Sequence, residues 1–308
     1  MKFVIIGAGA VGGYYAALLA RTGQDVSVIA RGAHRDAIRA RGMQIISTAV
    51  GDFVAPMRAE SDPAAIGPAD VVVVAVKTYD NDSALPLIAP LLGPQTTVLT
   101  LQNGVDSAEE VEAVAGRART IAGATYIATA IDGPGVIRQT GSHRRIVFGE
   151  CFDAGPEVSP RVRAIETTMK AADIHAEAVA DARVPIWEKF IYLAPFAAFT
   201  GAARLPIGPI WADPEGRPAF MAAVAEVDAV ARTSGIAVAA DLLSKIEAYV
   251  ESIPPTTRSS LLIDLSQGKR IEVESLAGSV VRRGREVGVP TPIMRGLYAA
   301  LRPNNNVS

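Results

Sequence analysis

The N-terminal stretch MKFVIIGAGAVGGYYAALLARTG sets an apolar strand directly against the spacing Gly7-x-Gly9-x-x-Gly12. Lys2 to Ile6 predict a buried strand, and Tyr14 to Ala20 carry a helical apolar period. The glycines therefore occupy a strand-to-helix turn. Gly7 permits the tight turn, Gly9 lets backbone approach a pyrophosphate, and Gly12 lets helix and strand pack closely. Beyond them the helix N-terminus offers unpaired N–H groups and a positive dipole end. In this context Gly7, Ala8, Gly9, Ala10, Val11 and Gly12 predict the phosphate-binding turn of a Rossmann dinucleotide-binding domain.

The chain of 308 residues has room for two domains of roughly 150 residues, each with a substantial core. Its 20% charged and 49% hydrophobic residues carry no disordered bias. A net charge of −2 gives no global attraction for nucleic acid or an anionic membrane surface. Cys151 is the only cysteine, which rules out an internal disulfide and fits a reducing compartment. No apolar run reaches the ~18–20 residues of a membrane span, and Phe3 to Ile6 is too short for a signal-peptide core. The expectation is a cytoplasmic protein without a metal site, acting on a small molecule.

Strands expected at Lys2–Ile6, Val26–Ala30, Val71–Val76, Thr97–Leu101 and Thr120–Gly123 alternate with helices at Val11–Arg21, Ala84–Leu92 and Ala108–Val114, as in parallel α/β sheets. Met43–Met57 and Ile131–Phe148, the latter holding the turn Asp132-Gly133-Pro134-Gly135, predict short hairpin strands. A helix over Arg161–Ala172 and a strand near Ile174–Val179 follow. Past Ala180 the texture changes to Ala-, Val- and Leu-rich helical stretches, near 183–200, 215–234, 239–251, 257–266, 272–287 and 291–301. Pro206, Gly208, Pro254-Pro255 and Pro290 punctuate them. The predicted architecture is α/β, with an N-terminal Rossmann domain over 1–180 and an all-helical domain over 181–308. The tail Pro303–Ser308 is expected to be disordered.

Polar features close four of the predicted strands: the glycine turn, Arg31 after VSVIA, Lys77 after VVVVAV, and Gln102-Asn103-Gly104 after TVLT. In a doubly wound sheet those C-terminal ends line the ligand crevice. Taken singly, Lys77 is as well a solvated loop lysine, and Asn103-Gly104 a plain turn. Arg31 stands where an NAD site places an acidic residue for the ribose 2′-hydroxyl. A guanidinium there suits a 2′-phosphate through a forked, charge-assisted contact, which favours NADPH over NADH. The same residue disfavours use of the turn by a methyltransferase. His34 reads as a surface-loop residue.

Within the helix predicted from Arg183, Lys189 shares a stripe with Ile186, Leu193 and Phe196. Lysines avoid such faces unless an anionic partner or a wet cleft awaits them, the plain alternative being a lysine snorkelling past its neighbours. Glu188, one step round, is expected in solvent. Pro195 is expected to kink the helix and free the Ile191 carbonyl.

RVPIWEKF (183–190), KxY (77–79), QNG (102–104), SSLLIDL (259–265) and KRIEVESLAGSVVRRGREVGVPTP (269–292) together resemble the ketopantoate reductase family, the NADPH-dependent 2-dehydropantoate 2-reductases and their relatives, over nearly the whole chain. The resemblance implies a Rossmann domain, a helical C-terminal domain and an active site in the cleft between them. It implies Lys189 and Glu272 as catalytic residues, and Asn103 and Ser260 as substrate contacts. Asn103 also joins Gly7, Ala8, Gly9, Ala10, Val11, Gly12, Arg31 and Lys77 on the cofactor side. The substrate would be a 2-oxo acid, ketopantoate by default, and a homodimer is a further implication.

The pattern departs from the family where its helix carries asparagines one and two turns past the lysine. Leu193 and Ala197 stand there instead. The family's TEIDYxNG stretch reads Ile271-Glu272-Val273-Glu274-Ser275-Leu276-Ala277-Gly278, again without its asparagine. Two other readings follow: reduction of a more apolar 2-oxo acid, and a non-catalytic NADPH-binding regulator, against which the retained Lys189 and Glu272 argue.

Overall fold

A computed structural model describes residues 1–306 and divides them into two compact units. The first holds Met1–Gln102 and Ser107–Ala182; the second holds Arg183 onward together with the short segment Asn103–Asp106.

The first unit is built on one sheet. Its strands are β1 (Lys2–Ile6), β2 (Asp25–Ile29), β3 (Met43–Ser47), β4 (Phe53–Ala55), β5 (Arg58–Glu60), β6 (Val71–Val74), β7 (Thr97–Thr100), β8 (Thr120–Gly133), β9 (Val136–Glu150) and β10 (His175–Asp181). Their order is β4-β3-β9-β8-β7-β6-β1-β2-β5, with β10 also paired to β9. The run from β5 to β8 is parallel, with Phe3 opposite both Val26 and Val71. Among the described residues only the β3–β4 and β8–β9 pairs are antiparallel. Alternation splits the core across the sheet. Phe3, Ile5, Val71 and Val73 pack on one face with α1 (Ala10–Arg21), while Val4, Ile6, Val72 and Val74 pack on the other with Ile88, Leu91 and Val111.

Helices of this unit differ from the sequence expectation where composition misleads. Gly32–Arg41 is a helix, α2, although Ile38 is its only buried residue and no apolar stripe announces it. The expected helix Ala84–Leu92 is a short α3 (Asn81–Ala84) continued as 3₁₀ turns over Leu85–Leu91, where Pro86 and Pro90 remove amide donors. The short strands expected over 131–148 are the end of β8 and most of β9, two long strands joined at Pro134-Gly135. Helices α4 (Ser107–Ala115) and α5 (Pro160–Ala171) complete the layer set.

Around α6 (Arg183–Ala203), the regular structure of the second unit among the described residues is helical, with α7 (Ile207–Ala212), α8 (Gly216–Thr233), α9 (Leu242–Ser252), α10 (Ser260–Ser266), α11 (Ser279–Glu286) and α12 (Pro292–Leu301). Trp187, Phe190, Ile191, Ala194 and Ala198 form one buried stripe of α6, and Phe196, Ala197 and Thr200 carry burial onto its other faces, as befits a central helix. It runs unbroken through Pro195. Pro206 and Gly208, expected to mark a turn, instead open α7, where a Cβ on Gly208 would collide with Pro255. The stretch 272–287 begins as a π-helical turn, Glu274–Gly278, before α11. Residues Arg302–Asn306 form 3₁₀ turns rather than the expected disordered tail, while 307 and 308 lie outside the described residues.

Candidate functional site

At the C-terminal end of β1 the chain must reverse within a few residues. Gly7 does so at φ +101°, and a Cβ there would lie 2.7 Å from a Val76 methyl. A Cβ on Gly12 would strike the Gly7 carbonyl oxygen, so helix and turn close only on glycine. Gly9 is different. It caps α1, and nothing lies within 4 Å of where its Cβ would be. That open backbone, next to free helix N–H groups, is a cradle for an anion.

A groove of about 290 Å³ opens here, lined by Gly7, Ala8, Gly9, Ala30, Arg31, His34, Val76, Asp80, Leu87 and Ile131 among others. Exposed Arg31 sits at the N-cap position of α2, the arginine at the end of β2. Of the residues expected on the cofactor side, Gly7, Ala8, Gly9 and Arg31 come together. Ala10, Val11 and Gly12 turn into α1, Lys77 sits at the N-cap of the 3₁₀ turn Thr78–Asp80, and Asn103 belongs to the second unit. Behind the groove, the Gln102 side-chain amide donates to the Val76 carbonyl at 3.1 Å and to Asn81 Oδ1 at 2.6 Å, tying two strand ends together. His34 is no surface-loop residue: it lies on α2 and bonds the Ala8 carbonyl oxygen through Nε2 at 2.7 Å. The sequence hint was its place three residues after Arg31, one helical turn on.

The second unit gathers Lys189, Asn103 and Glu272. Lys189 projects from the second turn of α6, and its Nζ donates to Asn103 Oδ1 at 2.9 Å. Asn103 reaches that point because its segment is held at both ends. Gly104, at φ +101°, approaches the Ser275 carbonyl so closely that a Cβ would lie 2.7 Å from it. Asp106 accepts from Arg282 at 3.1 Å and from Arg283 at 2.9 Å. Glu272 is buried at 6% exposure and precedes the π turn, in which the Gly278 N–H reaches back to the Val273 carbonyl at 2.9 Å. Such turns re-aim side chains and recur at functional sites.

Burial pushes the Lys189 ammonium down to about 8, and the Glu272 carboxylate opposes that shift. At neutral pH the lysine is therefore still mostly charged, yet close to giving up its proton. Glu188 does not simply face solvent: its carboxylate accepts the Ala239 N–H at 3.2 Å. Ser260 is exposed at the start of α10, whereas its buried neighbour Ser259 caps that helix and bonds Thr200 at 2.6 Å. Leu193 packs against the core of the unit and Ala197 is fully inside it. Among the described residues there is no cluster of His, Cys, Asp or Glu able to hold a metal, and no helix long and apolar enough to cross a membrane.

Residues 3–152 match the family described as ketopantoate reductase PanE/ApbA, and residues 181–305 match its C-terminal domain. A 2-dehydropantoate 2-reductase of Mesorhizobium japonicum is 32% identical, across 98% of this chain and 97% of that protein. The chain belongs to the ketopantoate reductase family. Another family member, the ketopantoate reductase crystal structure from Ralstonia eutropha, superposes with a TM-score of 0.90 at 33% identity, covering 99% of each chain. D-mandelate dehydrogenase, at 18% identity and a TM-score of 0.89, shares the fold of this chain.

Proposed function

We propose that this protein is an NADPH-dependent reductase that converts a 2-oxo acid to the 2-hydroxy acid, with 2-dehydropantoate as substrate and pantoate as product. One observation carries the reading: a part-buried lysine ammonium that donates to Asn103 Oδ1, with the Glu272 carboxylate opposing the loss of its charge on burial. The names of its full-length relatives agree. Residues 1–180 form the cofactor domain and 181–308 the catalytic domain.

The groove fits a dinucleotide because Gly9 leaves open backbone for a pyrophosphate and Arg31 stands at the rim for a 2′-phosphate. Lys77 and Asn103 complete the cofactor side. A reduced nicotinamide dinucleotide held by these residues would supply the hydride for the substrate carbonyl carbon. Lys189 donates a hydrogen bond to the carbonyl oxygen, balances the negative charge that develops there, and hands over its proton. Asn103 fixes the direction of the ammonium, Glu272 holds its charge, and Ser260 offers a hydroxyl to the substrate. A cytoplasmic homodimer is part of the proposal.

A second reading, a more apolar 2-oxo acid, is favoured by the surroundings of α6. Leu193 and Ala197 offer no polar atom beyond the backbone, and Tyr192 stacks on Phe196 at 5.1 Å. A purely regulatory NADPH-binding protein would have no use for an ammonium tuned to about 8. The test is NADPH oxidation by purified protein over a panel of 2-oxo acids. Turnover of ketopantoate supports the first reading, turnover confined to apolar acids the second, and binding without any turnover the third.

A further inference from the structure

One imidazole ring makes two directed bonds across the groove. His34 Nε2 lies 2.7 Å from the Ala8 carbonyl oxygen, and its Nδ1 lies 3.0 Å from the Gly135 backbone nitrogen. A peptide N–H can only donate, so Nδ1 is the bare acceptor and Nε2 carries the hydrogen given to Ala8. The ring is thereby held in one neutral tautomer. It links the glycine turn to the tip of the β8–β9 hairpin, whose Gly135 lies 101 residues beyond His34.

The tip is seated on α2 and β3 by more than this bond. Arg41 donates to the Pro134 carbonyl at 2.9 Å, and the Gln44 N–H donates to the Gly135 carbonyl at 2.8 Å. Gly135 itself lies at φ +75°, with the Ala37 methyl 3.0 Å from where a Cβ would be. Just before the tip, Ile131 lines the groove together with Ala8, Arg31 and His34. The His34 side chain therefore touches both the backbone of the glycine turn and the tip of the hairpin that carries Ile131.

We infer that His34 is a positioning residue for the dinucleotide: by bridging Ala8 and Gly135 it fixes the glycine turn and the hairpin wall bearing Ile131 before ligand arrives. This rests on the reading of the groove as the dinucleotide site. Without the bridge, ordering of both loops would be charged to the binding step and weaken affinity. Because the bridge serves backbone and wall, its loss acts on what NADPH and NADH share. Arg31 acts on what they do not.

The test is fluorescence titration of the full-length protein with NADPH and with NADH, alongside steady-state kinetics and amide exchange at Gly135. His34→Ala should weaken both cofactors by the same factor, about 5- to 150-fold for two hydrogen bonds, with the loss concentrated in KM for the cofactor rather than in kcat. His34→Gln, whose amide can replace both donor and acceptor, should recover most of the affinity; His34→Phe, of similar bulk, should not. Exchange at Gly135 should accelerate in the Ala and Phe variants. If His34→Ala fails to fold, the Gln and Phe pair decides. Wild-type affinity in His34→Phe would overturn the inference, and a loss confined to NADPH would make His34 a 2′-phosphate contact instead. If the wild-type protein bound neither dinucleotide, the reading of the groove would fail first, and visibly so.

Discussion

Backbone makes the groove at the end of β1, whereas side chains from three separated segments make the lysine site. Gly7, Ala8 and Gly9 are contiguous, and what they contribute is main chain and missing Cβ atoms. Lys189 and Asn103 are 86 residues apart, and the buried Glu272 comes from a third segment. The glycine turn itself tolerates exchange of any side chain that keeps φ and clearance, and only side chains at its rim, such as Arg31 and His34, add to it. A dispersed site fails when one side chain goes. The two regions should therefore respond to mutation in different currencies: affinity for the cofactor in the first, rate in the second.

The largest effect expected is Lys189→Ala, which should lower turnover by about 10²- to 10⁴-fold, the range for a positioned acid. NADPH affinity should stay near wild type. An Ala variant with near-normal turnover would remove the lysine from the chemistry and dissolve the contrast.

The same lysine sets a pH limb. With its ammonium near 8, turnover should fall as pH rises through that value, because the proton donor is lost. Glu272→Gln removes the charge that raises this group, so the limb should move to lower pH. Stability runs the other way. The folded value lies below the ordinary 10.5, so the unfolded chain holds more protons between the two, and wild-type stability should rise with pH across that window. Lys189→Met should abolish the rise in denaturant titrations. A limb that ignores Glu272→Gln would show that the carboxylate does not act on the lysine.

For the groove, Arg31→Ala should weaken NADPH by roughly 1.5–3 kcal/mol, the range for hydrogen bonds to charged groups, which is about 10- to 150-fold. NADH should scarcely notice. Equal losses for the two cofactors would mean that Arg31 supports the turn and does not read the 2′-phosphate.

The contrast also governs how much could be read in advance. Four- and five-residue apolar runs such as Val71–Val74 are legible because burial on both sheet faces needs nothing else. The β8–β9 hairpin runs further than expected because its ladder continues through Arg138, Gln139, Arg144 and Arg145, which carry no apolar alternation. Helix α2 hides behind its charges, and the π turn before α11 is a matter of hydrogen-bond register that no apolar period encodes. The glycine turn declared itself. Lys189 stood out only as a cation on an apolar stripe; its partners at Asn103 and Glu272 came through the family resemblance. The His34 bridge stayed hidden, since its second partner is a backbone amide on a distant turn.

The smallest effect is also the sharpest test of the lysine site. Leu193 and Ala197 stand one and two turns past Lys189, and both pack into apolar surroundings. A site that hydrogen-bonds a substrate hydroxyl can reject the analogue lacking it by about 10⁴-fold or more, while an apolar pocket discriminates by only ~10–200-fold per methylene. With leucine and alanine at these positions, the hydroxyl of ketopantoate has little on α6 to meet. Its deoxy analogue should then be reduced with a kcat/KM within about tenfold of that for ketopantoate. A preference for ketopantoate of about a thousandfold or more would mean that another hydroxyl-binding group has taken over, with exposed Ser260 or part-buried Thr257 at the head of α10 the first to mutate. Ser260→Ala would then have to abolish that preference while leaving the Lys189 limb in the pH profile where it was.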